Sequence, residues 1–137
     1  MKNLMKNPET FYDLLEKLKE FNRSFEIPYL DAPFNLSSKQ VELRYNLMEE
    51  ELDEYKDAAL KGDIIEVADA LGDKLYILLG TILAHGMQDV ILDVFNEIHR
   101  SNMTKLTEDG KVLRREDGKI IKSDRYESPN LAPIVLK

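Results

Sequence analysis

Apolar positions recur at helical spacing in four stretches of the chain, and that spacing is lost near residue 100. In the first stretch Phe11, Leu14, Leu15, Leu18 and Phe21 share one face. Asn7 is placed to cap this helix, with Pro8 at its first position and Glu9 in its first turn, and the pattern stops near Asn22. Residues 27–36, IPYLDAPFNL, hold two prolines and read as a connecting loop. Ser37 followed by Gln40 has the form of a capping box, which opens a long second helix ended by Gly62. A third helix is predicted from about Asp63 to Gly86. A fourth, from about Met87 to Arg100, carries Val90, Ile91, Val94, Phe95 and Ile98 on one side.

Beyond Arg100 the sequence EDGK occurs twice, at 108–111 and 116–119, on either side of VLRR. Asp-Gly turns join short strands, which predicts a small hairpin or an extended arm. The whole pattern predicts an all-α fold: an antiparallel helical bundle of four main helices with a short C-terminal hairpin or extended arm. At 137 residues this is one domain over 1–137, with a helical body to about residue 100 and a tail over about 101–137.

Polar residues break the apolar pattern at chosen places. On the third helix Glu66, Asp69 and Asp73 stand at spacing i, i+3, i+7 and share one narrow face, continued by Ile77, Gly80 and Ala84. The opposite side carries Ile64, Ala68, Leu71, Leu75, Leu78, Leu79 and Ile82, so the later turns are apolar all round and are expected to be buried. The second helix has an apolar stripe of Val41, Tyr45, Met48, Leu52, Tyr55 and Ala59, and a mixed stripe of Leu43, Leu47, Glu50, Glu51, Glu54 and Ala58. Glu49 and Asp53 turn away from both. A junction of a residue or two around Gly62 forces an antiparallel hairpin, which brings the acidic stripes together near its connected end. Carboxylates gathered in partly covered surroundings repel one another, and the relief is proton uptake or a bound cation. All-oxygen ligation suits Mg²⁺ or Mn²⁺. A di-iron centre is disfavoured because neither His85 nor His99 has a Glu three residues before it. His85, beside Gly86, reads as a helix-end cap, and His99 as a surface or packing residue. Against all this stands the bland alternative that the charge runs are solvated faces.

Composition narrows the classes. There is no cysteine, which excludes a disulfide framework, a thiolate nucleophile and a Cys-type zinc site. The N-terminus lacks an apolar segment ahead of a small-residue cleavage site, and Glu66, Asp69, Asp73 and Lys74 interrupt the apolar run Ile64–Ala84. No membrane span is expected, and a cytoplasmic location is. The net charge is −7, spread unevenly: residues 1–99 hold 10 Lys/Arg against 20 Asp/Glu, and residues 100–137 hold 9 against 6. An acidic body argues against a nucleic-acid partner. An acidic cluster with a basic tail suits a metal ion together with a small polyphosphate.

The run Glu50-Glu51-Leu52-Asp53-Glu54, followed by Glu66-Val67-Ala68-Asp69, resembles the EExxE and ExxD pair of the MazG-like all-α nucleoside triphosphate pyrophosphohydrolases. That superfamily also includes dimeric dUTPases and phosphoribosyl-ATP pyrophosphohydrolase. FNRSFEIP, VADALGDKLYILLGT and HRSNMTK with the EDGK tail extend the resemblance over nearly the whole chain. It implies Mg²⁺-dependent hydrolysis of a (deoxy)nucleoside triphosphate between the α and β phosphates, giving a nucleoside monophosphate and pyrophosphate. By position it makes Glu51, Glu54, Glu66 and Asp69 metal ligands and Glu50 the group that activates water. In related sequences the Asp stands directly before the Leu-rich run, a register that selects Asp73, so both aspartates are candidates. Asn102 and Lys105 match phosphate-contacting positions, and Lys122, Arg125 and Tyr126 are further candidates. The bland alternative for Asn102 is an ordinary polar helix end. Phe25 is a candidate for a base pocket, with packing as its alternative. Two rivals are phosphoribosyl-ATP pyrophosphohydrolase of histidine synthesis and a non-catalytic, metal-binding helical interaction module.

Surface accounting adds a partner. The first and fourth helices, each amphipathic on one side, leave Leu43, Leu47, Ile77, Gly80 and Ala84 without an intramolecular cover, which predicts a homodimer or a tetramer. The resemblance points the same way, and the basic tail of one subunit is placed to reach the acidic site of its neighbour.

Overall fold

The computed structural model describes residues 9–137, which divide into two compact units, one ending at Gln88 and one over Asp89–Lys137. The fold is all-α, with helices α1 (Phe11–Ser24), α2 (Ser38–Lys61), α3 (Ile64–Ala84), α4 (Ile91–Met103) and α5 (Ala132–Val135). The unit boundary falls before α4, so the first unit holds three helices and α4 groups with the tail.

Each helix of the first unit begins on a side-chain cap. Thr10 caps α1 in a reciprocal box with Asp13, whose carboxylate accepts from the Thr10 N–H at 2.7 Å. The expected cap, Asn7, and Pro8 lie outside the described residues. Ser37 and Gln40 form the predicted box on α2, and Asp63 caps α3 by accepting from the Glu66 N–H at 3.1 Å. The three helices also end alike. At Glu26, Gly62 and Gly86 the backbone turns left-handed, with φ of 56°, 72° and 68°. Around each, an N–H reaches back five residues to a carbonyl: Ile27 to Asn22, Asp63 to Ala58, and Met87 to Ile82. This is the Schellman closure. Two of the three stops carry the expected glycine. The third carries Glu26, so α1 runs two residues past the predicted end at Asn22.

Burial is concentrated where α1 crosses α3. Leu15, Leu18, Leu79 and Leu83 form the core, with Phe11, Leu14, Tyr29 and Ile82 packed around it. The Phe21 ring meets Tyr76 edge-on at 5.5 Å. Gly80 gives room to Arg44 of α2, because a β-carbon there would stand 2.8 Å from the guanidinium. That group donates to the Thr81 hydroxyl at 3.0 Å and to the Ile77 carbonyl at 2.8 Å, and burial lowers its pKa. Gly80, expected to lie uncovered, is thus buried by a side chain of its own unit.

The loop before α2 is fastened across the end of α3. The Leu30 and Phe34 N–H groups donate to the Leu83 and His85 carbonyls, and Gln88 Nε2 donates to the Leu30 carbonyl at 2.7 Å. His85 is the C-cap residue of α3, as predicted, and its Nδ1–H donates to the Phe34 carbonyl at 2.9 Å. Gly86 sits under this loop.

In the second unit α4 starts at Ile91, four residues later than predicted, and runs to Met103. The short α5 was not anticipated, and it packs on α4. The tail is tied to α4 by polar groups. Ser101, the only fully buried residue described in this unit, donates to the Glu127 carbonyl at 2.7 Å. Thr104 accepts from the Glu127 N–H, and Ser123 donates to the Thr104 and Leu106 carbonyls. Among the described residues there is no strand. The predicted hairpin is reduced to one antiparallel bridge, Arg114 to Ile120, around the second EDGK turn.

Gly62 and Gly86 provide a matched test. Both need positive φ, but a β-carbon at Gly86 would stand 2.2 Å from the Ala32 carbonyl oxygen, whereas nothing lies within 4 Å at Gly62. Gly62→Ala should cost only the left-handed penalty of about 1 kcal/mol, and Gly86→Ala at least about 2 kcal/mol, in urea unfolding. Equal losses would mean that the loop is not held against Gly86 in solution.

Candidate active site

Only Gly62 and Asp63 separate α2 from α3, so the two helices run antiparallel and every height on one has a fixed partner height on the other. Ala58 on α2 and Ala70 on α3 are both buried, and small side chains let the two backbones approach. The glutamates of α2 and the aspartates of α3 therefore meet across the pair.

Glu51, Glu54 and Asp73 each offer a carboxylate oxygen to a group in which all three oxygens lie within 4.8 Å of one another. Glu51 is half-buried, and its Oε2 is fully enclosed with no hydrogen-bond partner. Its pKa is pushed up to about 7, first by burial, then by a proton shared with Glu54, then by the charges of Glu54, Asp73 and Asp69. Beside this group opens a cleft of about 350 Å³ lined by Glu54, Asp57, Lys61, Glu66, Asp69 and Ala70. Glu54 belongs to both, so Glu51, Glu54, Glu66, Asp69 and Asp73 form one continuous acidic patch. The two candidate aspartates divide: Asp73 joins the tight triad, and Asp69 faces the cleft. Glu50 is exposed on α2 and belongs to neither.

Two cleft residues were not anticipated. Asp57 and Lys61 follow Glu54 at i+3 and i+7, so the spacing that gave the acids of α3 carries the signal for them too. Lys61 is the one cation among the residues lining this cleft.

In the second unit Asn102 is exposed on the last turn of α4 and Lys105 is half-buried just beyond it. The Lys122 ammonium lies 4.6 Å over the Tyr126 ring. The Tyr126 phenol is lowered in pKa first by its side-chain contact with Ser101, then by Ser128 and the charges of Lys122 and Lys105. Lys105, Lys122 and Tyr126 are therefore neighbours. Phe25 stacks on Phe21 with ring centres 4.6 Å apart, yet stays exposed. A separate apolar recess of about 150 Å³ is lined in part by Tyr29, Leu30, Phe34, Leu36 and Ala84. His99 is exposed, as predicted.

The raised Glu51 pKa makes stability depend on pH. The folded protein binds a proton that the unfolded chain, with Glu near 4.5, releases, so folding is favoured by proton uptake between pH 4.5 and about 7. The melting temperature of metal-free protein should fall as pH rises through that window. Glu51→Gln should flatten this part of the profile, and thermal melts of both proteins from pH 5 to 8 measure it. Identical slopes would place the linked proton elsewhere.

A family model described as phosphoribosyl-ATP pyrophosphohydrolase matches residues 18–102. No curated protein matches the chain. The matched stretch begins within α1, ends within α4 and contains every carboxylate of the triad and the cleft. Carboxylates converging across an antiparallel hairpin and a match over most of the chain agree, and the chain belongs to the phosphoribosyl-ATP pyrophosphohydrolase family within the MazG-like all-α superfamily, as a nucleotide pyrophosphohydrolase that acts on phosphoric anhydrides.

Proposed function

We propose that the chain hydrolyses a (deoxy)nucleoside triphosphate between the α and β phosphates in a Mg²⁺-dependent reaction, with Mn²⁺ as a substitute. The observation that carries this reading is the triad of Glu51, Glu54 and Asp73, in which Glu51 Oε2 is enclosed and unpartnered. An all-carboxylate donor set with an orphaned oxygen fits a hard divalent cation. Glu51, Glu54 and Asp73 would hold it, with Asp69 and Glu66 extending the site along the cleft. When bound, such a cation neutralises the polyphosphate and polarises its phosphoryl oxygens. The family resemblance assigns Glu50, exposed on α2 next to Glu51, to orienting the attacking water and taking its proton, although it belongs to neither the triad nor the cleft. The water oxygen bonds to the α phosphorus, the bridging oxygen leaves with the β phosphorus, and pyrophosphate and a nucleoside monophosphate result. Asn102, Lys105, Lys122 and Tyr126 are assigned to the phosphates. The family match favours phosphoribosyl-ATP as a second reading. The triphosphate reading is preferred because residues 103–137, folded onto α4, lie beyond the matched stretch.

A cytoplasmic location fits the absence of cysteine. Among the described residues no helix is long and apolar enough to cross a membrane. The acidic body argues against nucleic acid.

A homodimer or tetramer is the proposed assembly, through exposed apolar stripes of α2 and α3. Gly80 is buried and Leu47, Ile77 and Ala84 are half-buried, which leaves only Leu43 exposed of the residues expected to lie bare. The later turns of α3, expected to be buried, instead expose Leu75 at 47% and Leu78 at 46%, and on the same side Ile64 is exposed at 73% and Leu71 at 51%. Val41, Tyr45, Leu52 and Tyr55 are exposed along α2. The reason is geometric: α1 covers only the Leu79–Leu83 side of α3. Two copies meeting on these stripes would cover them.

Pyrophosphate release should require divalent metal, stop in excess EDTA and return with Mg²⁺; full turnover in EDTA would end the metal reading. Glu54→Gln should lower kcat by roughly a hundredfold or more while leaving the helical circular dichroism intact. Glu49→Gln, whose carboxylate only accepts from the Tyr45 hydroxyl at 2.9 Å on the outer face, is the control. A substrate panel of the common nucleoside triphosphates and phosphoribosyl-ATP separates the two readings, since turnover of the latter alone would reverse the preference. Sedimentation equilibrium should give about two or four times the 15.9 kDa chain mass, and Leu71→Glu with Leu75→Glu should lower it. An active species at the single-chain mass would refute the assembly.

A further inference from the structure

The two copies of EDGK fold differently in one respect. In the first, Lys111 pairs with Asp109. The second is preceded by Arg114 and Arg115, ends in Lys119 and is followed by Lys122, and several of these cations line one cleft. A cleft of about 280 Å³ is lined by Lys105, Arg115, Lys119, Ile120, Ile121 and Lys122. That volume is at the lower end of small-molecule sites.

Its positive charges are held in place. Asp117 accepts from Arg115 Nε at 3.0 Å and from the same guanidinium's Nη2, and from the Lys119 N–H at 3.1 Å. One carboxylate behind the turn therefore fixes the Arg115 fork and the Lys119 backbone together. Gly118, at φ 88°, permits the reversal that places Lys119 after Arg115. On the far side the Lys122 ammonium is seated over Tyr126. No carboxylate lines the cleft itself. Four cations surround one cavity and Asp117 pairs with Arg115 among them, so an anion entering the cleft meets several positive charges at once. Ile120 and Ile121, both partly exposed, add an apolar strip between the charges.

We propose that this cleft is an oligophosphate-binding site in which Arg115 and Lys119, positioned by Asp117, bind a di- or triphosphate group without divalent metal. The separated charges favour a chain of phosphates over one compact anion, because several phosphates reach several cations at once. The cleft includes Lys105 and Lys122, assigned above to the substrate phosphates, so the proposal deepens that reading by adding Arg115, Lys119 and Asp117; binding measured in EDTA and turnover measured with Mg²⁺ can fail separately.

Isothermal titration calorimetry of the full chain in EDTA, with inorganic tripolyphosphate, tests it. One binding event per chain is expected, equal in the wild type and in Glu54→Gln, and weaker by about tenfold for orthophosphate. Arg115→Gln with Lys119→Gln should weaken tripolyphosphate by about tenfold or more at unchanged circular dichroism, since each removes a charged donor. Asp117→Asn, which keeps both cations, should weaken it as well. ATP binding as tightly as tripolyphosphate assigns the site to phosphates alone, and tighter ATP binding adds a nucleoside contact on the isoleucines; either supports the proposal. Lys111→Gln removes a nearby charge outside the cleft. If it weakens binding as much as Lys119→Gln, or if tripolyphosphate does not bind, the cleft is no site.

Discussion

The candidate active site depends on like charges being forced together. Glu51, Glu54 and Asp73 would separate if α2 and α3 could slide, but the two-residue turn at Gly62 and Asp63 and the buried Ala58 and Ala70 leave no slack. The repulsion is visible in Glu51, held near a neutral pKa with one oxygen sealed from any partner. Folding energy from the α1–α3 core is thus spent on holding carboxylates that repel one another, a repulsion that a proton or a bound cation would relieve. Arg44 shows the converse arrangement on the same pair of helices. Its guanidinium is half-buried, but carbonyl and hydroxyl acceptors satisfy it locally, so it asks for nothing further.

The sequence carried the helices and the acidic faces well, for identifiable reasons. Ser37 with Gln40 and the glycines at 62 and 86 are local signals whose physics does not depend on the rest of the fold. Glu26 in a left-handed conformation carries no such signal, so the apolar pattern alone ends α1 two residues early. At the other end Thr10 and Asp13 form a box as legible as that of α2, but Asn7-Pro8 offered a competing start. The i, i+3, i+7 spacing gave the face on which Glu66, Asp69 and Asp73 lie. It gives angle and not height, so it could not decide which aspartate faces Glu51; the offset set by the turn does that.

Apolar periodicity was legible in the same partial way. The sequence predicts burial for Leu71, Leu75 and Leu78 because they are apolar on a helix that is apolar nearly all round. Periodicity reports a surface that avoids water and is silent on whether the cover comes from the same chain. Here it does for Leu79 and Leu83 and does not for the others. The tail was legible only at its Asp-Gly turns, because its ordering rests on Ser101, Thr104 and Ser123, whose hydroxyl partners lie 17 to 26 residues away and leave no pattern in the sequence.

That mode of attachment gives the tail a different thermal character from the helices. Opening it would expose hydroxyls, carbonyls and few large apolar side chains, and exposure of polar surface lowers heat capacity where apolar surface raises it. Its cohesion therefore changes little in the curvature of stability with temperature, while the leucine core of the first unit weakens on cooling. The two halves of one small chain draw on different terms of solvation, and in the cold the basic tail keeps its order on grounds the helical core does not share.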